Sequence, residues 1–294
     1  MKILLVHNNY KIIGGAEVFV RETARVLEQA GHEIRYFCTY DETADELDYS
    51  HYFPRSVNYK SGSTINSALN IKNIIYSDAA KQKMSAMLAD FKPDVVHAFA
   101  TYAKLTPSVL EACREARVPV VMSCNDYKHI CPNYKLYHHG RICDDCKGQK
   151  YWKPVLNKCA QDSWAYSVAT SLEARVHFAK DIFRKNVDLF LFASEFMAQK
   201  TEEFWGKGSF RWRKLLNPFQ AQDSACSNIY GDYYLYFGRL IDEKGVDVLI
   251  EAALSVSDAK LIIIGEGPQE EELRLMTKKA GATNICLLYT SDAA

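Results

Sequence analysis

MKILLVHNNYKIIGGAEVFVRETARVLEQAGHEIRYFC, residues 1–38, is the stretch on which the fold turns. Lys2 to Val6 is a short apolar run, the form of a strand buried on both faces of a parallel sheet. From Ala16 onward Ala16, Phe19, Val20, Thr23, Leu27 and Ala30 recur at helical spacing, with Arg21, Glu22, Arg25 and Glu28 between them. Gly31 supplies the helix stop, and Ile34 to Cys38 reads as a second strand.

The same alternation continues outward. Strands are expected over 94–99, 118–123 and 187–193, with helices over 79–91, 105–116 and 194–205 between and after them. Such a succession is satisfied most economically by a doubly wound α/β layer. Residues 41–75 and the loop 124–160 fit the alternation less well, and the second is rich in Cys, Tyr, Lys, Gly and Asn. A polar stretch, 220–232, has the composition of a linker. A strand at 233–237, a helix at 246–254, a strand at 260–264, a helix at 269–280 and a strand at 284–288 then form a second, shorter βαβαβ unit. The expected architecture is α/β with two Rossmann-like units: an N-terminal domain over 1–219, the linker, and a partial C-terminal domain over 233–294.

Composition sets bounds on function. Of 294 residues, 48% are apolar and 24% charged, which leaves room for sizeable cores and little for extended disorder. Thirty-six Lys and Arg offset thirty-six Asp and Glu, so no overall field points to nucleic acid, and an anion site must be local. The longest apolar runs, 189–193 and 261–264, fall far below the ~20 residues of a membrane span. The N-terminus lacks a secretory signal pattern, which places the expected location in the cytoplasm.

Three constellations carry chemistry. His7 to Glu17 ends with Gly14 and Gly15 at a helix start, where backbone N–H groups and the positive end of the helix dipole suit an anion. The bland reading is a glycine pair serving a tight turn. YLYFGRLIDEKGVDVLIEA, 234–252, sets Arg239 and Lys244 beside a second helix start. Arg239 can bind phosphate oxygens in bidentate fashion and Lys244 adds a point charge, unless both pair with Asp242 and Glu243 on the surface. IIIGEGP, 262–268, sets Gly265 and Gly267 directly after a strand. No GxGxxG occurs after the first strand, which counts against a NAD-dependent nucleotide-sugar epimerase or dehydrogenase.

GGAE, VDLFLFASEFM from Val187, LLNPF from Leu215, YFGRLIDEKGVDVLIEA and IIIGEGP, in this order, resemble the family four glycosyltransferases of GT-B fold. The resemblance implies two Rossmann-like domains facing a cleft and transfer from a UDP-sugar or GDP-sugar to a glycan or lipid-linked acceptor, with retention and without a catalytic metal. It implies that Arg239 and Lys244 stabilise the departing diphosphate, and that Gly14, Gly15, Gly265 and Gly267 approach the donor. Relatives often read His-Asp-Tyr where this chain has Asn125-Asp126-Tyr127. An amide at Asn125 hydrogen-bonds a sugar hydroxyl but exchanges no proton near neutral pH, while Asp126 orients the acceptor or caps its own loop. The resemblance also implies two glutamates, separated by seven residues, in a glycine-rich segment beyond the third strand of the second domain; no such segment is printed here. The final CLLYTSDAA, 286–294, resembles a translated adapter tail, and the printed polypeptide is expected to lack efficient transfer.

Cys131, Cys143, Cys146 and Cys159 occupy the elaborated loop, with a two-residue gap inside CDDC. This spacing fits a structural zinc ion, reduced unligated thiols, or a catalytic thiol pair, and His129, His138 and His139 are alternative ligands. A zinc-stabilised glycan-binding module without turnover is accordingly a rival from another class. Val168, Leu172, Val176, Ala179 and Phe183 make a helical stripe, expected to pack on the sheet, with peripheral contact to the inner membrane face as the second use.

Overall fold

The computed structural model describes residues 1–55, 73, 75–102, 104–218, 231–256 and 258–288. The chain divides into two compact units, Met1–His138 with Ile142–Gln220, and His139–Arg141 with Ala221–Ala294.

In the first unit a six-stranded parallel sheet forms from β1 (Lys2–Asn9), β2 (Glu33–Thr39), β3 (Val95–Ala98), β4 (Val120–Cys124), β7 (Leu189–Phe192) and β8 (Trp212–Lys214), in the order β2-β1-β3-β4-β7-β8. Between them run α1 (Gly15–Gln29), α2 (Asp78–Phe91), α3 (Ser108–Glu115) and α7 (Glu195–Trp205). Leu4, Val6, Phe37, Val96, Met122, Phe190 and Phe192 close one core with α2 and α3, and Ile3, Leu5, Phe19, Val20 and Phe99 close another under α1. Strands buried on both faces explain why the sequence shows continuous apolar runs rather than alternation.

The order of strand addition reverses between β1 and β3, the switch point outside which α/β proteins place ligands. β8 was not foreseen; its three residues carry only Trp212 as an apolar signal.

The elaborated loop holds two two-residue strands, β5 (Tyr137–His138) and β6 (Arg141–Ile142), and the short α4 (Lys153–Leu156). α5 (Trp164–Lys180) ends where Asp181 adopts φ 53°, and α6 (Ile182–Asn186) follows. The stripe expected to pack corrects here: Val168 and Leu172 are 49% and 43% exposed, while Ser167, Ser171, Glu173 and His177 are buried. Hydrogen bonds explain the inversion. Ser167 Oγ accepts from Ala160 N at 3.0 Å, Glu173 meets Lys128 Nζ at 2.7 Å, and His177 Nε2 lies 2.7 Å from the Ile75 carbonyl.

The second unit contains a three-stranded parallel sheet, β11-β10-β9, from β9 (Tyr234–Phe237), β10 (Leu261–Ile264) and β11 (Ile285–Leu288), with α8 (Val246–Leu254) and α9 (Glu270–Lys279). Its core is Leu240, Val246, Ile250, Leu261, Ile263 and Leu273. The sequence-expected linker falls almost wholly outside the described residues, as do most of 56–74 and all of 289–294.

Candidate functional site

In the first unit, the ends of β1, β3 and β4 converge on a pocket of about 140 Å³ lined by His7, Ala16, Phe19, Tyr102, Asn125 and Asp126, among others. It lies at the switch point of the sheet and brings together the expected Asn125 and Asp126 with the first turn of α1. Asn125 is exposed. Asp126 Oδ1 accepts from Lys128 N at 2.9 Å, so the loop-capping role is realised in the geometry. Burial raises the Asp126 carboxyl above its usual range, against the lowering effect of that backbone N–H and the Lys128 charge.

Glu17 organises the glycine loop. Its carboxylate accepts from Gly14 N and from Asn9 Nδ2, each at 2.9 Å, and stands 3.9 Å from His7 Nδ1. Burial opposes the charge, yet the Asn9 amide and neighbouring backbone donors hold its pKa below the usual value. Burial keeps His7 neutral by lowering its pKa. Gly14 is extended at φ −167°, and an added Cβ on Gly15 would meet nothing within 4 Å. The local structure therefore does not require glycine at either position for a turn. Sequence reasoning missed Lys104, whose Nζ donates to Asn9 Oδ1 at 2.6 Å, and His97, buried with its Nε2 2.8 Å from Ser123 Oγ. Neither sits in a recognisable motif.

In the second unit Arg239 and Lys244 flank the turn between β9 and α8. Both are exposed, and neither forms an ion pair or side-chain hydrogen bond with a described residue. Asp242 and Glu243 lie in the 3-10 turn preceding Gly245, whose φ of 61° favours glycine. Gly265 and Gly267 pack against this turn. Cβ atoms built on them would fall 1.9 Å from the Gly238 carbonyl oxygen and 2.2 Å from the Leu240 carbonyl oxygen. Leu240 N donates to Glu266 O at 2.9 Å and Gly238 N to Ile264 O at 3.0 Å, clamping the backbone on both sides of Arg239. The two glycines thus position the cation-bearing turn.

Cys131, Cys143, Cys146 and Cys159 all line one small cavity of the elaborated loop and are thiols, not disulfide halves. Among the described residues no group of three or more His, Cys, Asp or Glu side chains is placed so that it could hold a metal ion as the chain stands. Of the alternative ligands, His129 Nε2 faces Thr201 Oγ1 at 2.9 Å and His138 Nε2 faces the Asn157 carbonyl at 2.8 Å; His139 closes the β5 end with φ 47°. No helix among the described residues is long and apolar enough to cross a membrane.

Two parallel α/β units of Rossmann-like form, with sheets ordered β2-β1-β3-β4-β7-β8 and β11-β10-β9, fit the GT-B fold class. The chain belongs to Glycosyltransferase Family 4, whose model matches residues 13–211, and the model for glycosyl transferases group 1 matches 228–292. It is 25% identical over 289 residues to an uncharacterized 42.6 kDa protein in the cps region of Klebsiella pneumoniae, covering 90% of this chain and 68% of that one. A GDP-mannose-dependent alpha-mannosyltransferase of Corynebacterium glutamicum is 27% identical over 217 residues, 71% of this chain and 46% of that protein. Among solved structures, sucrose-phosphate synthase from Thermosynechococcus elongatus superposes with a TM-score of 0.58 at 13% identity, covering 99% of this chain and 71% of that one. Anabaena HepE in complex with UDP and glucose gives 0.54 at 16% identity, covering 98% and 69%.

Proposed function

We propose that the protein is the acceptor-binding unit and part of the donor-binding unit of a retaining transferase that moves a sugar from a UDP-sugar or GDP-sugar to a glycan or lipid-linked acceptor. The observation that carries this reading is the pair of exposed cations, Arg239 and Lys244, on a turn clamped by Gly265 and Gly267. Cleavage of the bond from sugar to diphosphate builds negative charge on the leaving oxygen. A positioned guanidinium and ammonium stabilise that charge more in the transition state than in the bound donor. In this reading the cations do the work that a magnesium ion does elsewhere, and catalysis needs no bound metal.

The first unit supplies the acceptor side. The pocket at the ends of β1, β3 and β4 offers the Asn125 amide and the Asp126 carboxylate to a sugar hydroxyl. Nothing in the fold fills the space beside Gly15, which leaves room there for the donor, while the neighbouring Gly14 N–H is occupied by the Glu17 carboxylate. The relatives support the donor class: one is a GDP-mannose-dependent mannosyltransferase, and HepE is bound to UDP.

Calorimetry with UDP, GDP and NAD in the presence of EDTA tests the assignment. Binding of one nucleoside diphosphate without NAD binding is expected; preferential NAD binding, or diphosphate binding only with added magnesium, would refute it.

A further inference from the structure

The CDDC loop presents an arrangement that sugar transfer does not use. Between Cys131 and Cys159 the chain contains only the two-residue strands β5 and β6 and the four-residue α4. Its local apolar cluster is limited to Ile130, Cys131 and Leu136, with Tyr127, Phe204 and Trp205 packed against it. Within the same stretch Tyr134, Leu136, His139, Gln149 and Lys158 all hold positive φ, a costly conformation for non-glycine residues that persists only where the surroundings enforce it. So sparse an apolar cluster is a weak anchor for a loop this irregular.

Four sulfurs surround the centre of the loop. Cys131, Cys143, Cys146 and Cys159 line one cavity of about 10 Å³, room for a single atom-sized guest. Asn133 lines the same cavity, where the Cys131 thiol donates to its Oδ1 at 2.9 Å and its Nδ2 donates to the Tyr137 carbonyl at 3.1 Å. Asp145, on the same wall, is engaged with Lys153 Nζ and Asn157 Nδ2, both at 3.2 Å.

We propose that these four cysteines bind one zinc ion as a tetrahedral thiolate site that fixes the 131–159 loop. Binding would release four thiol protons for one zinc, and it requires the sulfurs to move together from their positions in this structure, where no three of them are set to hold a metal. The site is structural: four protein ligands leave no open position for substrate. It lies in a loop of the first unit and uses none of the groups assigned to the donor, so it stands or falls independently of the transferase reading.

The test is zinc content by mass spectrometry on the whole chain, expressed in zinc-replete medium and purified without chelator, with cobalt(II) replacement as a second readout. About one zinc per chain is expected, and cobalt should give the intense absorption of a tetrahedral tetrathiolate. Cys143→Ser with Cys146→Ser should lower bound zinc at least tenfold, while Cys286→Ser, at an exposed position, should retain it. If the double variant fails to fold, the cobalt spectrum of the unmodified chain decides. Absence of zinc together with absence of the thiolate cobalt band, recovery of the four cysteines as disulfides, or undiminished zinc in a folded double variant would each overturn the proposal.

Discussion

Replacing Gly265 by alanine would force its new methyl carbon to within 1.9 Å of the Gly238 carbonyl oxygen, and the same change at Gly267 meets the Leu240 backbone at 2.2 Å. Neither obstacle is a flexible side chain. Each substitution is expected to destabilise the second unit by about 1–3 kcal/mol, read from urea unfolding, and to weaken diphosphate binding through displacement of Arg239. A variant with unchanged unfolding and unchanged binding would contradict this assignment. IIIGEGP was legible as a strand followed by a glycine turn, but its contact with the Arg239 turn was not, because sequence spacing does not reveal which backbone lies opposite. Gly14 and Gly15 show the converse: the turn that would have explained them is absent from the geometry.

At the scale of elements, α5 is held by polar contacts. Lys128 and Glu173 are 12% and 2% exposed at their side chains and form a 2.7 Å pair beneath it. Lys128→Met should leave the Glu173 charge buried without its partner and cost roughly 3–5 kcal/mol, whereas adding Glu173→Leu should recover most of that loss in thermal or urea unfolding. Equal instability of the single and double variants would argue against the pair as the anchor. The helical period of this segment is readable, and its last stripe residue, Phe183, packs in the core, while Val168, Leu172 and Ala179 face outward. An apolar stripe predicts the packed face only when the neighbours are apolar, and here they are Lys128, the Ala160 amide and the Ile75 carbonyl. The long strands and helices of both units came through because continuous apolar runs and 3.6-residue periods persist over many positions. β5, β6 and β8, of two or three residues, are too short to leave such a signal.

For the whole molecule, buried histidines couple stability to acidity. Burial lowers His97 to about 4 and His129 to about 3, below the 6.5 of the unfolded chain. Between those values the unfolded state binds the extra protons, so stability should be full above about pH 6.5 and fall as pH drops toward 4 and then 3. The loss per histidine is on the order of 1–3 kcal/mol, and His97→Gln should flatten part of the slope in urea midpoints measured from pH 7 to 4.5. A pH-independent midpoint would show that these rings are not held neutral. The family was legible from the order of five motifs along the chain, while the pocket at the switch point needed the strand order β2-β1-β3-β4 to bring His7, Asn125 and Asp126 together. Whether Arg239 and Lys244 grip a diphosphate is decided by titration calorimetry of UDP and GDP against the unmodified chain, Arg239→Ala, Lys244→Ala and the surface control Lys278→Ala. The account predicts that each of the first two variants binds the preferred nucleotide ~10- to 100-fold more weakly, as expected for loss of a charge-assisted hydrogen bond, with the control unchanged. Equal affinity across all four proteins would contradict it.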